Sequence, residues 1–124
     1  MANKVKIAID AMGGENSPKK IVEGIEISLK SNQENFFYLY GRKDLLDKEI
    51  SKKKLMGNYC EIIDTKDIIL DDESPLVAVK KGKESSMWKA IESLKDGKSH
   101  ISLSAGNTGA LLVISRLLLE TIEG

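Results

Sequence analysis

A Rossmann-like α/β fold, a three-layer arrangement with helices on both faces of a parallel sheet, is the class this sequence predicts. Three observations lead to it. Apolar runs of strand length alternate with segments of helical period, the runs are apolar enough to be covered on both faces, and the first and last of them end in glycine-bearing turns that open a helix.

The strands fall at residues 5–9, 36–40, 59–63 and 101–104, each a short β-branched or aromatic run. The first helix starts at Pro18, since proline suits the first helical position and Asn16 or Ser17 can cap it; its apolar stripe is Ile21, Val22, Ile25 and Leu29. Residues 44–54 form the second helix. A third helical region opens at Ser74 and Pro75, pauses around Gly82, resumes at Ser85 or Ser86 and stops at Gly97. The fourth begins at Asn107 or Thr108. Residues 64–74, DTKDIILDDES, make an acidic connection inside the domain, and no repeat or low-complexity linker divides the chain. Sheets of this class usually carry five or more strands, so four strands within 124 residues read as part of a larger domain.

Bulk properties narrow the function. The chain is 41% hydrophobic and 31% charged, the composition of an ordinary globular domain. Nineteen basic residues balance nineteen acidic ones, so no net field draws the chain to nucleic acid. The single cysteine, Cys60, excludes an internal disulfide and sits in a strand-like YCEIID segment, where a structural thiol in a reducing cytoplasm is the expectation. Residues 1–10 lack the apolar core of a secretory signal. The longest apolar stretch, residues 110–119, is broken by Ser115 and Arg116 and falls short of the roughly 20 residues that cross a bilayer. No Cys/His or carboxylate spacing suggests a metal site, no cofactor is implied, and the lone His100 reads as a strand-edge residue.

Two turns carry the chemistry. Asp10 closes the first strand, and Gly13 and Gly14 follow in a loop that leads into the first helix. In open α/β sheets ligands bind beyond the carboxyl ends of the strands, and glycine there lets an anion approach the backbone while the next helix offers unpaired N–H groups. The alternative is that Gly13 and Gly14 only make the turn and Asp10 only caps it. The second turn runs Ser104, Ala105, Gly106, Asn107, Thr108, Gly109, Ala110. Gly106 and Gly109 permit close approach, Asn107 and Thr108 carry hydrogen-bonding side chains, and the dipole of the following helix favours negative charge, so a small oxyanion suits it. A capped helix start, with Asn107 or Thr108 as the cap, accounts for the same residues and is compatible with an anion at the same helix end. Neither turn is a nucleotide fingerprint. The first reads MGGENS, the second strand ends in Tyr40, Gly41 and Arg42 with no acidic residue for a ribose, and no Gly-Lys-Ser/Thr follows either turn.

With DAMGG near residue ten and SAGNTGA about a hundred residues on, the chain resembles the phosphate acyltransferases of fatty acid and phospholipid synthesis. Pro75, Ala78, Lys80, Lys81 and the Ser85-Ser86-Met87 run between them resemble the same family. The resemblance implies a fold similar to isopropylmalate and isocitrate dehydrogenases and phosphotransacetylase. It also implies transfer of a fatty acyl group from acyl carrier protein to inorganic phosphate, with no cofactor. Members of that family are more than twice this length, so residues 1–124 are expected to be the N-terminal α/β portion, with the rest of the enzyme absent from this chain.

Under that resemblance Asn107 and Thr108 are the candidate catalytic donors. Ser104, Gly106, Gly109, Asp10, Gly13 and Gly14 are the candidates for shaping and binding the phosphate site. Lys80, Lys81 and Lys83 are candidate contacts for the acidic carrier protein, and residues 52–54 are a lysine cluster read as a solvated face. The resemblance further implies a cytoplasmic homodimer with peripheral membrane contact. Two other functions are alternatives: a folded fragment that binds phosphate or carrier protein without catalysis, and an NAD-dependent decarboxylating dehydrogenase. The second calls for acidic metal ligands and a nucleotide loop, which these residues do not supply.

Overall fold

In the computed structural model, which describes residues 4–119, four parallel strands form one sheet in the order β3-β2-β1-β4. They are β1 (Val5–Asp10), β2 (Asn35–Gly41), β3 (Cys60–Asp64) and β4 (Ile101–Leu103). The helices are α1 (Lys19–Ser31), α2 (Lys43–Ile50), α3 (Pro75–Lys81), α4 (Ser86–Lys95) and α5 (Thr108–Leu119). The predicted α/β class and the strand positions are borne out.

The chain order explains the layers. From β1 to β2 to β3 it steps one way across the sheet, and from β3 to β4 it steps back past β1. Because parallel crossovers are right-handed, reversing the step moves the connecting helix to the other face. The alternation of β1 shows the result: Ile7 and Ile9 pack with Val22, Ile25 and Leu29 of α1 and Leu46 of α2, whereas Ala8 points the other way, towards Ala90 of α4 and Tyr40. A second apolar cluster on that far face joins Met87, Trp88 and Ile91 of α4 to Ala78 of α3 and to Ala110 and Ile114 of α5. Each fully buried Leu, Ile or Val contributes about 1.5–3 kcal/mol, so the two clusters supply most of the drive to fold.

Local chemistry sets most of the helix ends. Ser74 caps α3 by accepting the Val77 N–H at 3.3 Å, with Pro75 at the first helical position. The break at Gly82 is a single 3-10 turn, Gly82–Glu84, and its first residue packs so closely that a Cβ there would lie 2.8 Å from the Trp88 ring. Ser85 then caps α4 by accepting the Trp88 N–H at 3.1 Å, and Gly97, at φ +76°, ends the region as expected.

Two expectations are corrected. The first helix begins at Lys19, with Pro18 in the capping position and no side-chain cap. Ser17 donates its hydroxyl to the Gly13 carbonyl at 2.5 Å instead, and Asn16 adopts the left-handed region at φ +59°. The second helix stops at Ile50, not at residue 54. The chain must turn there to bury Met56, which is fully enclosed in the α1 and α2 side of the core, and three successive lysines at 52–54 add like-charge repulsion to any further turn of helix.

Cys60 lies in β3 against that core, and burial pushes its thiol from 9.0 up to about 12. The neutral thiol is the form the folded state favours. Stability from this group is therefore complete below pH 9 and is lost as the pH rises from about 9 to about 12. Urea denaturation at stepped pH should show native protein losing stability relative to Cys60→Ala across that window, and thiolate-specific alkylation of folded protein at pH 8 should be slow.

Candidate functional site

Because β1 and β4 are adjacent and parallel, their carboxyl ends lie side by side where the strand order reverses. From there α1 leaves for one face and α5 for the other, the arrangement that opens a ligand crevice in sheets of this kind. Both signature turns sit at this point. The residues between Asp10 and Gly14, and those between Ser104 and Gly109, are therefore brought together from opposite ends of the sequence.

Asp10 is the joint between them. Its side chain is 2% exposed and accepts three hydrogen bonds: from the Met12 N–H (3.1 Å) and the Ser86 hydroxyl (2.6 Å) at Oδ1, and from the Ser104 hydroxyl (2.9 Å) at Oδ2. A buried carboxylate needs such donors, and these come from the first turn, the start of α4 and the end of β4. While its hydroxyl donates to Asp10, Ser104 Oγ also accepts the Gly106 N–H at 3.1 Å. One chain of hydrogen bonds thus runs from α4 through Asp10 into the second turn.

The glycines answer to the same contact. A Cβ on Gly13 would stand 2.7 Å from Asp10 Oδ2 and 2.9 Å from the Gly106 nitrogen, and one on Gly106 would stand 3.3 Å from the Gly13 Cα. The two loops touch backbone to backbone. Gly14, at φ +89°, lies against Ala105 in the same contact. Gly109 is held differently: a Cβ there would meet Pro75 Cγ at 2.8 Å, so α5 starts hard against the start of α3.

Asn107 is 8% exposed and its side chain is fully engaged. Oδ1 accepts the Ala110 N–H at 3.1 Å, which makes it the cap of α5, while Nδ2 donates to the carbonyls of Leu70 (3.0 Å) and Glu73 (2.7 Å). It pins the acidic loop to the helix start. Thr108, by contrast, is exposed. In the first turn of α5, Ala110 and Leu111 give their N–H groups to the side chain and carbonyl of Asn107, whereas those of Thr108 and Gly109 have no intrahelical acceptor. That end of the helix, with its partial positive charge, can take an oxyanion.

The remaining residues fall outside this cluster. Lys80 and Lys83 are exposed on and just after α3, and the side chain of Lys81 lies outside the described residues. His100 extends the β1–β4 edge, donating its N–H to the Lys6 carbonyl and accepting the Lys6 N–H at Nδ1. Among the described residues no group of three or more His, Cys, Asp or Glu side chains is placed to hold a metal ion, and no helix is long and apolar enough to cross a membrane. Sequence reasoning did not assign Ser86 or the Leu70 and Glu73 carbonyls to the site. The Ser85-Ser86 pair was visible as a helix start, but nothing in it pointed to a carboxylate 76 residues away.

The family model described as fatty acid synthesis protein matches residues 5–124. The chain belongs to that family. Over 123 residues it is 51% identical to a phosphate acyltransferase of Pelagibacter ubique (strain HTCC1062), covering 99% of this chain and 36% of that protein. A phosphate acyltransferase of Clostridium acetobutylicum is 39% identical over 118 residues, 95% of this chain and 36% of that protein. One from Jannaschia sp. (strain CCS1) is 38% identical over 118 residues, 95% of this chain and 32% of that protein. The resemblance carried by DAMGG and SAGNTGA is borne out. The chain spans about a third of the length of these curated relatives.

The Asp10 joint makes a measurable claim on stability. Ser86→Ala removes one donor from a buried carboxylate and should cost about 1–3 kcal/mol, whereas Ser28→Ala, on a half-buried helix face, should stay within about 0.5 kcal/mol. Equilibrium denaturation of both variants checks the contrast.

Proposed function

We propose that this chain forms the N-terminal α/β portion of an enzyme that transfers a fatty acyl group from acyl carrier protein to inorganic phosphate, giving an acyl phosphate. The observation that carries the reading is the start of α5. It lies at the switch point of the sheet, is held by Asn107 and by the Gly13–Gly106 contact, and has the N–H groups of Thr108 and Gly109 and the Thr108 hydroxyl left for an anion. The family and the names of its relatives support the same reaction class.

The chemistry asks for little more than placement and charge stabilisation. A phosphate oxygen forms a bond to the thioester carbonyl carbon, and the carbonyl electron pair moves onto its oxygen. Collapse of that oxyanion breaks the C–S bond, and the carrier thiolate leaves and takes a proton. Phosphate is already a nucleophile, so the gain comes from holding it near the carbonyl and from fixed donors facing the developing oxyanion. In this scheme Thr108 and Gly109 contact phosphate or oxyanion. Asn107 acts by positioning, because its amide hydrogens are spent on Leu70 and Glu73. Asp10, Ser104, Gly13 and Gly106 set the shape of the site. Direct contact between Asp10 and phosphate would set like charge against like.

Carrier protein is acidic, and Lys80 and Lys83 are exposed on and just after α3, the helix whose first residue, Pro75, meets Gly109 at the α5 start, with Leu76 exposed on the same helix as Lys80. Its docking there, assembly as a homodimer and peripheral contact with the cytoplasmic membrane surface belong to the same proposal.

The test is acyl phosphate formation by this chain joined to the remaining length of a full-length relative. Thr108→Val should lower kcat/KM on the order of a hundred-fold, the cost of one lost oxyanion donor. Unchanged turnover would remove the Thr108 hydroxyl from the reaction. Reversing charge at both Lys80 and Lys83 to Glu should raise KM for the carrier several-fold at low salt, less at high salt, and leave KM for phosphate unaltered.

A further inference from the structure

Ser85 and Ser86 are adjacent, both buried, and differently employed. Ser85 serves its own helix: its Oγ accepts the Trp88 N–H at 3.1 Å, and its hydroxyl donates to the Gly82 carbonyl at 2.7 Å. With α4 capped in this way, Ser86 directs its hydroxyl out of the helix, to Asp10 Oδ1 2.6 Å away, in a setting 1% exposed. Its role is therefore read from where its bonds lead.

Two routes run from Ser86 to the head of α5. The first passes through the hydroxyl: Asp10 holds Ser104, and Ser104 Oγ accepts the Gly106 N–H. The second passes through the backbone. The Ser86 N–H donates to the Asp67 carbonyl at 3.1 Å, and the Asp67 N–H donates to the Glu84 carbonyl at 3.1 Å, so the acidic loop is fastened alongside the α4 head. Further along that loop, the Leu70 and Glu73 carbonyls accept from the Asn107 amide. The routes thus meet at consecutive residues, Gly106 and Asn107, directly before the N–H groups of Thr108 and Gly109. Met87 reinforces the first by packing, since a Cβ on Gly106 would stand 3.2 Å from its Cε. Every bond in both routes is made among the described residues, and Asp10, Ser86 and Met87 are at most 2% exposed, so further chain is not needed to make them.

We propose that Ser86 is a positioning residue for acyl transfer, aiming the Thr108 and Gly109 N–H groups at phosphate without touching it. The inference rests on the acyl-transfer reading above and adds a residue that the reading does not use. Fixed donors help only when they are aimed before the reaction, and a misplacement of about 1 Å costs up to roughly a hundred-fold in rate. Deleting the hydroxyl breaks one route and leaves the backbone route in place, so the expected loss is partial, and it falls on phosphate and not on carrier protein.

The experiment uses this chain joined to the remaining length of a full-length relative, with acyl phosphate formation measured at a temperature where every variant is fully native by circular dichroism. Ser86→Ala should raise KM for phosphate and lower kcat, together about tenfold in kcat/KM, while KM for carrier protein stays within about twofold. Ser93→Ala is the control, because it removes a hydroxyl from the same helix that is 3% exposed and bonded to the Ala90 carbonyl and Ser99, away from the loop. Its melting temperature should fall with phosphate KM and kcat unaltered. If Ser86→Ala does not fold, Ser86→Cys keeps a similar volume with only a weak S–H donor and is read by the same values. A phosphate KM equal to native in the folded Ser86 variant, or the same kinetic change in Ser93→Ala, overturns the proposal while leaving acyl transfer intact. Absence of acyl phosphate from the native protein overturns the acyl-transfer reading and the proposal with it.

Discussion

The buried carboxylate of Asp10 is the constraint on which the rest of the site depends. A carboxylate at 2% exposure is costly unless its oxygens are met by donors, and here they come from Met12, Ser86 and Ser104. Those donors lie on three separate segments, so satisfying one side chain fixes the positions of the first turn, the head of α4 and the end of β4 relative to one another. The Gly13–Gly106 contact then follows, because loops drawn this close leave no space for a Cβ. Polar satisfaction and glycine usage are two expressions of the same closure.

From that closure a division of labour arises among residues that look alike in the sequence. Asn107 and Thr108 are neighbours with hydrogen-bonding side chains at a helix start. One is turned inward to cap α5 and to anchor the Leu70 and Glu73 carbonyls, and the other is left facing solvent. The N–H groups without an intrahelical acceptor at the helix end are therefore those of Thr108 and Gly109, while Asn107 holds that end still. Ser104 is similarly occupied: its hydroxyl donates to Asp10 and its oxygen accepts the Gly106 N–H. Rigid placement of donors before the reaction is what an enzyme stabilising an oxyanion needs.

Topology, and not composition, decides which apolar strand positions the described helices cover. Ile101 and Leu103 belong to the same apolar face as Ile7 and Ile9, but reversal of the strand order sends the next helix to the other side. Among the described residues, no helix lies over β4 on the α1 face.

Much of this was legible from residue order. Strand positions, the Ser74-Pro75 and Ser85 helix starts, the stop at Gly97 and the two glycine-bearing turns all follow from local chemistry: apolar period, hydroxyl caps, proline at the first helical position and glycine at positive φ. The motifs also carried the family. Where local signals were overridden, a tertiary demand was stronger, as when the need to bury Met56 ended α2 at Ile50 and the Ser17–Gly13 bond replaced a side-chain cap on α1. The sequence by itself determined the α/β class, the order of its elements and the two turns where an anion could bind. Only the tertiary structure decided which donors remain free and which are spent, because Asp10 with Ser86, and Asn107 with Leu70, are pairs made by the sheet across 76 and 37 residues, beyond the reach of any local pattern.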